Sequence, residues 1–203
     1  MTEYPGVNMK GLAQAVAAAL GAPWAFTEAD EHEPPRCLWA RIARPDGAEI
    51  SVHLNTYPKP RLNISGVYPR GPNGRDYGPW DSTKRPSMGV APDRPAAVIA
   101  KEIARRLLPE YLPLYAKAVQ DKAAYDAGAG VQQGVASRLA FTLGLPPRAH
   151  PADSQSVQIH VYQTDGCYGE FTVSNGGGVQ VKLTGLTPAQ ADAVARVVAK
   201  KGE

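Results

Sequence analysis

Two stretches of this chain, residues 11–23 and 134–146, read GLAQAVAAALGAP and GVASRLAFTLGLP. Gly11/Gly134, Ala13/Ala136, Ala17/Ala140, Leu20/Leu143, Gly21/Gly144 and Pro23/Pro146 coincide at a constant offset of about 123. A segment that recurs in mid-chain constrains the fold strongly, because the same local structure is required twice. Further matches follow in the same order. Asp46-Gly47 corresponds to Asp165-Gly166, each between strand-like runs as a hairpin turn. Val52 and Leu54 fall opposite Phe171 and Val173, and LNISG at 62–66 opposite VKLTG at 181–185. AVIAKEIARR at 97–106 resembles DAVARVVAKK at 192–201 in its apolar positions and its basic end. The expectation is an α+β protein: an internal duplication of a helix–three-stranded antiparallel meander–helix unit.

The helices carry mechanical signals. Leu12, Val16 and Leu20 recur at helical spacing, as do Val131, Val135, Leu139 and Leu143, so each segment has one apolar stripe. Gly21 and Gly144 stand just past the stripes, where a residue of positive φ closes a helix. Thr187-Pro-Ala-Gln190 is a capping box with Pro at the first helical position, and Asp93-Arg-Pro95 is expected to open the matching helix. A further helix from about Glu110 to Ala127 should bridge the halves, with Ala127-Gly-Ala-Gly130 as its stop. The domains are then 1–108, a bridging helix and linker over 109–130, and 131–203.

Strand parity follows from alternation. Ile50, Val52 and Leu54 face inward and Ser51, His53 and Asn55 outward; Leu62 and Ile64 face inward and Arg61, Asn63 and Ser65 outward. Phe171 and Val173 point in, while Glu170, Thr172 and Ser174 point out. Each half thus has an apolar sheet face for its helices to cover.

Composition excludes several classes. With 43% hydrophobic and 20% charged residues the chain is globular rather than disordered. It has no apolar run approaching the ~18 residues of a membrane span. A net charge of +3 argues against an acidic DNA mimic and does not by itself mark a nucleic-acid binder. The apolar N-terminal stretch could pass for a secretory leader, but its recurrence at 134–146 argues for a structural helix. The expected setting is cytoplasmic, with Cys37 and Cys167 reduced and matching no metal or redox spacing. No cofactor, metal or membrane is expected. Asp30-Glu-His32-Glu33 reads as a solvated loop, and His53 and His160 as polar strand-face residues.

One segment breaks the repeat. The second half passes from Gly185 into its helix within two residues, whereas the first takes from Val67 to Asp93. This 67–93 insertion holds five prolines and four glycines, with Arg70, Arg75, Lys84 and Arg85 beside Tyr68, Tyr77 and Trp80. A loop beyond about 15 residues in a compact domain is usually functional or disordered. Arg, Tyr and Trp together suit an interface anchored by rigid contact area, or base stacking with phosphate contact. Arg41, His53, Arg61 and Asn63 share outward parity on the sheet and extend the same candidate surface.

Helix–three strands–helix is also the order of the double-stranded-RNA-binding domain, so each half resembles that fold in topology. The resemblance carries topology only. The Lys-rich start of that family's second helix is replaced by Asp93-Arg-Pro-Ala and Thr187-Pro-Ala-Gln, and its Gly-Pro-x-His loop by Pro45-Asp-Gly47 and Thr164-Asp-Gly166. Separately, RLNISGVYPRGPNGRDYGP followed by DRPAAVIAKEIARRLLPEYLPLY resembles segments of uncharacterised bacteriophage and prophage accessory proteins. That implies a non-enzymatic protein of a bacterial host's cytoplasm that binds and blocks a host protein or ribonucleoprotein, for example a CRISPR defence complex. The alternatives are a direct DNA- or RNA-binding protein and a small hydrolase or nuclease using the histidines.

Overall fold

The computed structural model describes residues 7–27, 38–56, 59–71, 74–145, 156–162 and 168–199. Cys37, Cys167, the Asp165-Gly166 turn and the stretch Asp30 to Glu33 lie outside the described residues. The fold is α+β, with two antiparallel sheets, and it divides into the units Met1–Lys122 and Ala123–Glu203. Among the described residues no helix is long and apolar enough to cross a membrane.

The first unit begins with α1 (Met9–Leu20), capped by the Asn8 side chain, which accepts from the Gly11 amide at 2.9 Å. Strands β1 (Ala25–Thr27), β2 (Trp39–Ala43), β3 (Glu49–Asn55), β4 (Arg61–Val67) and β5 (Ser87–Val90) follow in one sheet, ordered as in the chain. The expected three-stranded meander is the middle of this sheet, and two short strands flank it. β5 arises inside the 67–93 insertion, where Met88 and Val90 alternate into the core. The parity read from sequence holds: Ile50, Val52, Leu54, Leu62 and Ile64 are buried, while His53, Asn55, Arg61 and Asn63 are exposed. Each such buried aliphatic side chain contributes about 1.5–3 kcal/mol over its exposed state.

Met9, Ala13, Val16 and Ala17 of α1 pack on this face, joined by Ile99 and Ala100 of α2 (Ala96–Glu102). The buried stripe of α1 is therefore centred on the small residues, with Leu12 and Leu20 at its margins. Asp93 does not cap α2. The cap is Pro95, whose carbonyl accepts from Val98 and Ile99 after a turn in which the Arg94 amide donates to the Ala91 carbonyl.

The expected break between helices near residue 108 is absent. A π-helical turn, Ile103–Leu107, carries α2 directly into α3 (Leu108–Thr142). The turn ends two residues before Pro109, which has no N–H to return to the preceding turn. Nor do Gly128 and Gly130 stop α3. Gly128 lies where the hairpin turn of the second unit touches the helix: the Gly176 amide donates to the Gly128 carbonyl at 3.1 Å, and a Cβ there would collide with Asn175. Close approach, rather than helix termination, explains this glycine.

Tyr111 of α3 is fully buried and closes one end of the first sheet. Its hydroxyl donates to the Val67 carbonyl at 2.7 Å and accepts from the Glu49 amide at 3.0 Å, bridging the last paired residues of β3 and β4. Gly66 gives the ring its place.

The second unit holds α3 from Ala123 onward, β6 (Ser156–Tyr162), β7 (Tyr168–Ser174), β8 (Val179–Thr184) and α4 (Pro188–Ala199). Ala136, Val157, Ile159 and Val173 form its small core. The buried face of α3 here runs Gln132, Ala136, Ala140, one step round from the expected Val131 stripe, and Val131 is exposed. The Gln132 side chain donates to the Val173 carbonyl at 2.8 Å, so a polar residue occupies the core side fully satisfied. Gly144 ends α3 with φ 67°. The Leu145 amide returns to the Ala140 carbonyl and that of Gly144 to Phe141, the two bonds of a Schellman closure. Gly21 likewise has positive φ, 76°. The Thr187–Gln190 capping box forms reciprocally, at 2.8 and 3.3 Å.

Candidate functional site

The segment between β4 and β5 is a folded loop built around Tyr68. This ring is buried against the edge of Tyr111, with centroids 5.6 Å apart. Gly78 lies flat on it, so close that a Cβ would meet the ring at 2.6 Å. Arg85 packs on the same ring, its guanidinium 5.4 Å from the Tyr68 centroid. That guanidinium bonds the Asp76 carboxylate at 2.9 Å and the Pro79 carbonyl at 2.8 Å, while Asp76 also accepts from the Gly78 amide at 2.7 Å. Backbone bonds from Gly71 to the Arg75 carbonyl and from Tyr77 to the Pro69 carbonyl fold the outer part into a small antiparallel turn. Burial pushes the Tyr68 phenol above its ordinary range, with the nearby Arg85 charge partly opposing it.

Beyond these braces stands Trp80, 101% exposed. Asp81 follows and caps a short 3-10 turn, Ser82–Lys84, by accepting from the Thr83 amide at 3.0 Å and hydroxyl at 2.7 Å. Those bonds hold its carboxyl below the usual carboxylate range. Lys84 lies 3.9 Å from the same carboxylate and remains largely exposed. Arg70 and Arg75 are exposed, with the Arg75 guanidinium 5.3 Å from the Tyr77 ring. Tyr77 itself is half-buried and packs against the core. The insertion residues thus fall into two groups. Tyr68, Tyr77 and Arg85 build the loop, while Arg70, Arg75, Trp80 and Lys84 face solvent.

On the sheet, Arg41, His53, Arg61 and Asn63 share the face opposite the helices. His53 pairs with Asn63 across β3–β4 and with Trp39 across β2–β3. Arg41 forms an ion pair with Glu49, Nε to Oε1 at 2.9 Å, and lies 4.7 Å from the Trp39 centroid. Trp39 was not singled out by the sequence reading, although its parity with Arg41 places it on this face. In the second unit the corresponding polar face gathers His160, Tyr162 and Tyr168: the Tyr168 hydroxyl is 2.7 Å from His160 Nδ1, and the two tyrosine rings are 5.1 Å apart. Strand alternation would have exposed this ring cluster to inspection too. Among the described residues no group of three His, Cys, Asp or Glu side chains could hold a metal ion. The loop and sheet face present an exposed indole ring, cations and strand-borne polar groups. The chain matches no family model, no curated protein and no solved structure.

Proposed function

We propose that this is a non-enzymatic binding protein whose loop between β4 and β5, with the adjoining outer sheet face, engages a host protein or ribonucleoprotein. The observation that carries the reading is Trp80. A fully exposed tryptophan is costly to leave in water, and here it stands on a segment cross-braced by Arg85, Asp76 and Tyr68. Trp and Arg on a preordered surface are the usual anchors of a binding interface, because little entropy is lost when they are gripped. The resemblance of the β4–α3 segments to bacteriophage and prophage proteins supports an accessory protein acting in a bacterial cytoplasm, and a defence complex such as a CRISPR ribonucleoprotein is a fitting target. The ordered sequence matches support descent of both halves from one duplicated helix–meander–helix unit.

The test is affinity capture from bacterial lysate with the wild-type chain and with Arg75→Ala/Trp80→Ala. A specific partner retained by the wild type through nuclease treatment, and lost by the variant at unchanged thermal stability, supports the reading. Capture that nuclease abolishes assigns the surface to nucleic acid instead. Equal capture by both chains refutes the role of the loop.

A further inference from the structure

At the end of the β4–β5 pair away from the Trp80 loop, a cleft of about 480 Å³ is lined by Lys59, Pro60, Arg61, Gly89, Val90, Ala91, Arg94, Glu102 and Arg106. Its size falls within the range of small-ligand sites, about 300–1,000 Å³. Four cationic residues and one carboxylate line it, a local formal charge of +3.

Arg61 is held in place among these cations. Arg61 crosses from β4 over β5 and donates to the Gly89 carbonyl at 3.3 Å. A Cβ at position 89 would collide with that guanidinium, so glycine is what lets the arginine lie there. Arg94 projects from the turn between β5 and α2, and neither it nor Lys59 has an ion-pair partner among the described residues. The one acidic group, Glu102, is already engaged by Arg105 at 2.9 Å and by Arg106 at 3.5 Å. Its charge is therefore largely answered before any ligand enters. Pro60, Val90 and Ala91 supply an apolar flank.

We infer that this cleft is a phosphate-binding site, in which Lys59, Arg61, Arg94 and Arg106 receive the oxygens of a phosphorylated small ligand or of a nucleic-acid phosphodiester. Guanidinium forks match a tetrahedral oxyanion through paired N–H donors, and the lysine adds a point charge. A bare carboxylate has fewer oxygens to offer these donors. The site is separate from the Trp80 surface, sharing only Arg61 with the residues assigned to partner contact.

The experiment titrates the full chain with inorganic pyrophosphate by calorimetry, and with a fluorescein-labelled ten-nucleotide single strand by anisotropy. Wild type is compared with Lys59→Ala/Arg94→Ala, two exposed positions outside the core, and with Arg196→Ala on α4 as a control that removes one exposed cation outside the cleft. Pyrophosphate should bind the wild type and Arg196→Ala alike, weaken on raising salt from 50 to 200 mM, and bind the double variant at least about tenfold more weakly. If the oligonucleotide also binds, is displaced by pyrophosphate and is lost in the double variant, the phosphate belongs to a nucleic acid. If only pyrophosphate binds, it belongs to a small ligand. Absence of pyrophosphate binding, or equal binding by wild type and double variant, overturns the inference. Because lysate capture through Trp80 is measured separately, either reading can fail alone.

Discussion

Gly66 is the position where a single methyl group should do most harm for its size. It sits in β4 directly under Tyr111, and an added Cβ would meet ring atom Cγ at 2.7 Å and the Cδ2 and Cε2 carbons closer still. The ring has little room to retreat, since its hydroxyl is tied to Val67 and Glu49 and its flanks to Tyr68 and Tyr115 at 5.6 and 5.7 Å. Overpacking of a tight core costs about 1–3 kcal/mol. Against this stands the ordinary benefit of Gly→Ala, about 0.4–1 kcal/mol from the unfolded chain. The clash wins, and Gly66→Ala should be net destabilising. Tyr111→Leu removes the ring at a cost of about 2–5 kcal/mol, and in that background Gly66→Ala should become neutral or stabilising. Urea unfolding followed by tryptophan fluorescence reads this cleanly, because Trp24, Trp39 and Trp80 all lie in the first unit. The packing argument is refuted if Gly66→Ala is neutral in the wild type, or if its cost is the same in both backgrounds.

Burial raises the Tyr111 phenol above its ordinary range, and Tyr68 and Tyr115 shift the same way for the same cause. A raised folded pKa makes the contribution complete below about pH 10 and lost as pH climbs, because the unfolded chain ionises first. Urea midpoints should therefore fall above pH 10. In Tyr111→Phe they should fall less steeply, from a starting stability lower by about 1–3 kcal/mol for the two hydrogen bonds removed. A parallel fall in both proteins would assign the pH dependence elsewhere. On α3, Gly144→Ala should cost about 1–2 kcal/mol because its φ is positive. Gly134→Ala, helical and facing open space, should gain about 0.5–1 kcal/mol. Thermal melts by circular dichroism distinguish the two.

Much of this was legible because the signals are local. Alternation at Ile50–Leu54 and Leu62–Ile64 needs no tertiary context, nor do the Thr187–Gln190 box and the helix-closing glycines. What escaped the sequence was decided by contacts from afar. β5 is four residues long and contains Gly89, so period-2 patterning could not lift it out of a Pro/Gly-rich stretch; pairing with β4 made it a strand. Gly128 looked like a stop and is kept helical where Gly176 and Asn175 meet α3. The buried stripes of α1 and α3 turned toward alanines because small residues let a helix approach a sheet, a preference that counting Leu and Val misses. Within the candidate surface the residue types were readable, but their division was not. Which of Tyr68, Tyr77 and Trp80 would be buried depended on the Arg85–Asp76 pair, whose members are nine residues apart.

The edge strand β5 hangs on the sheet through β4 alone, from Ser65↔Ser87 to Leu62↔Val90, and the whole braced loop lies between them. Closing that long segment costs entropy that the tighter turn between β2 and β3 does not incur. When the sheet breathes at this edge, β5 and the loop would leave as one cooperative unit, taking Met88 and Val90 out of the core. A molecule that held Trp80 would act on this opening from outside. Occupancy of the surface would then be felt in the interior, as slower amide exchange along β5 and a firmer edge to the sheet.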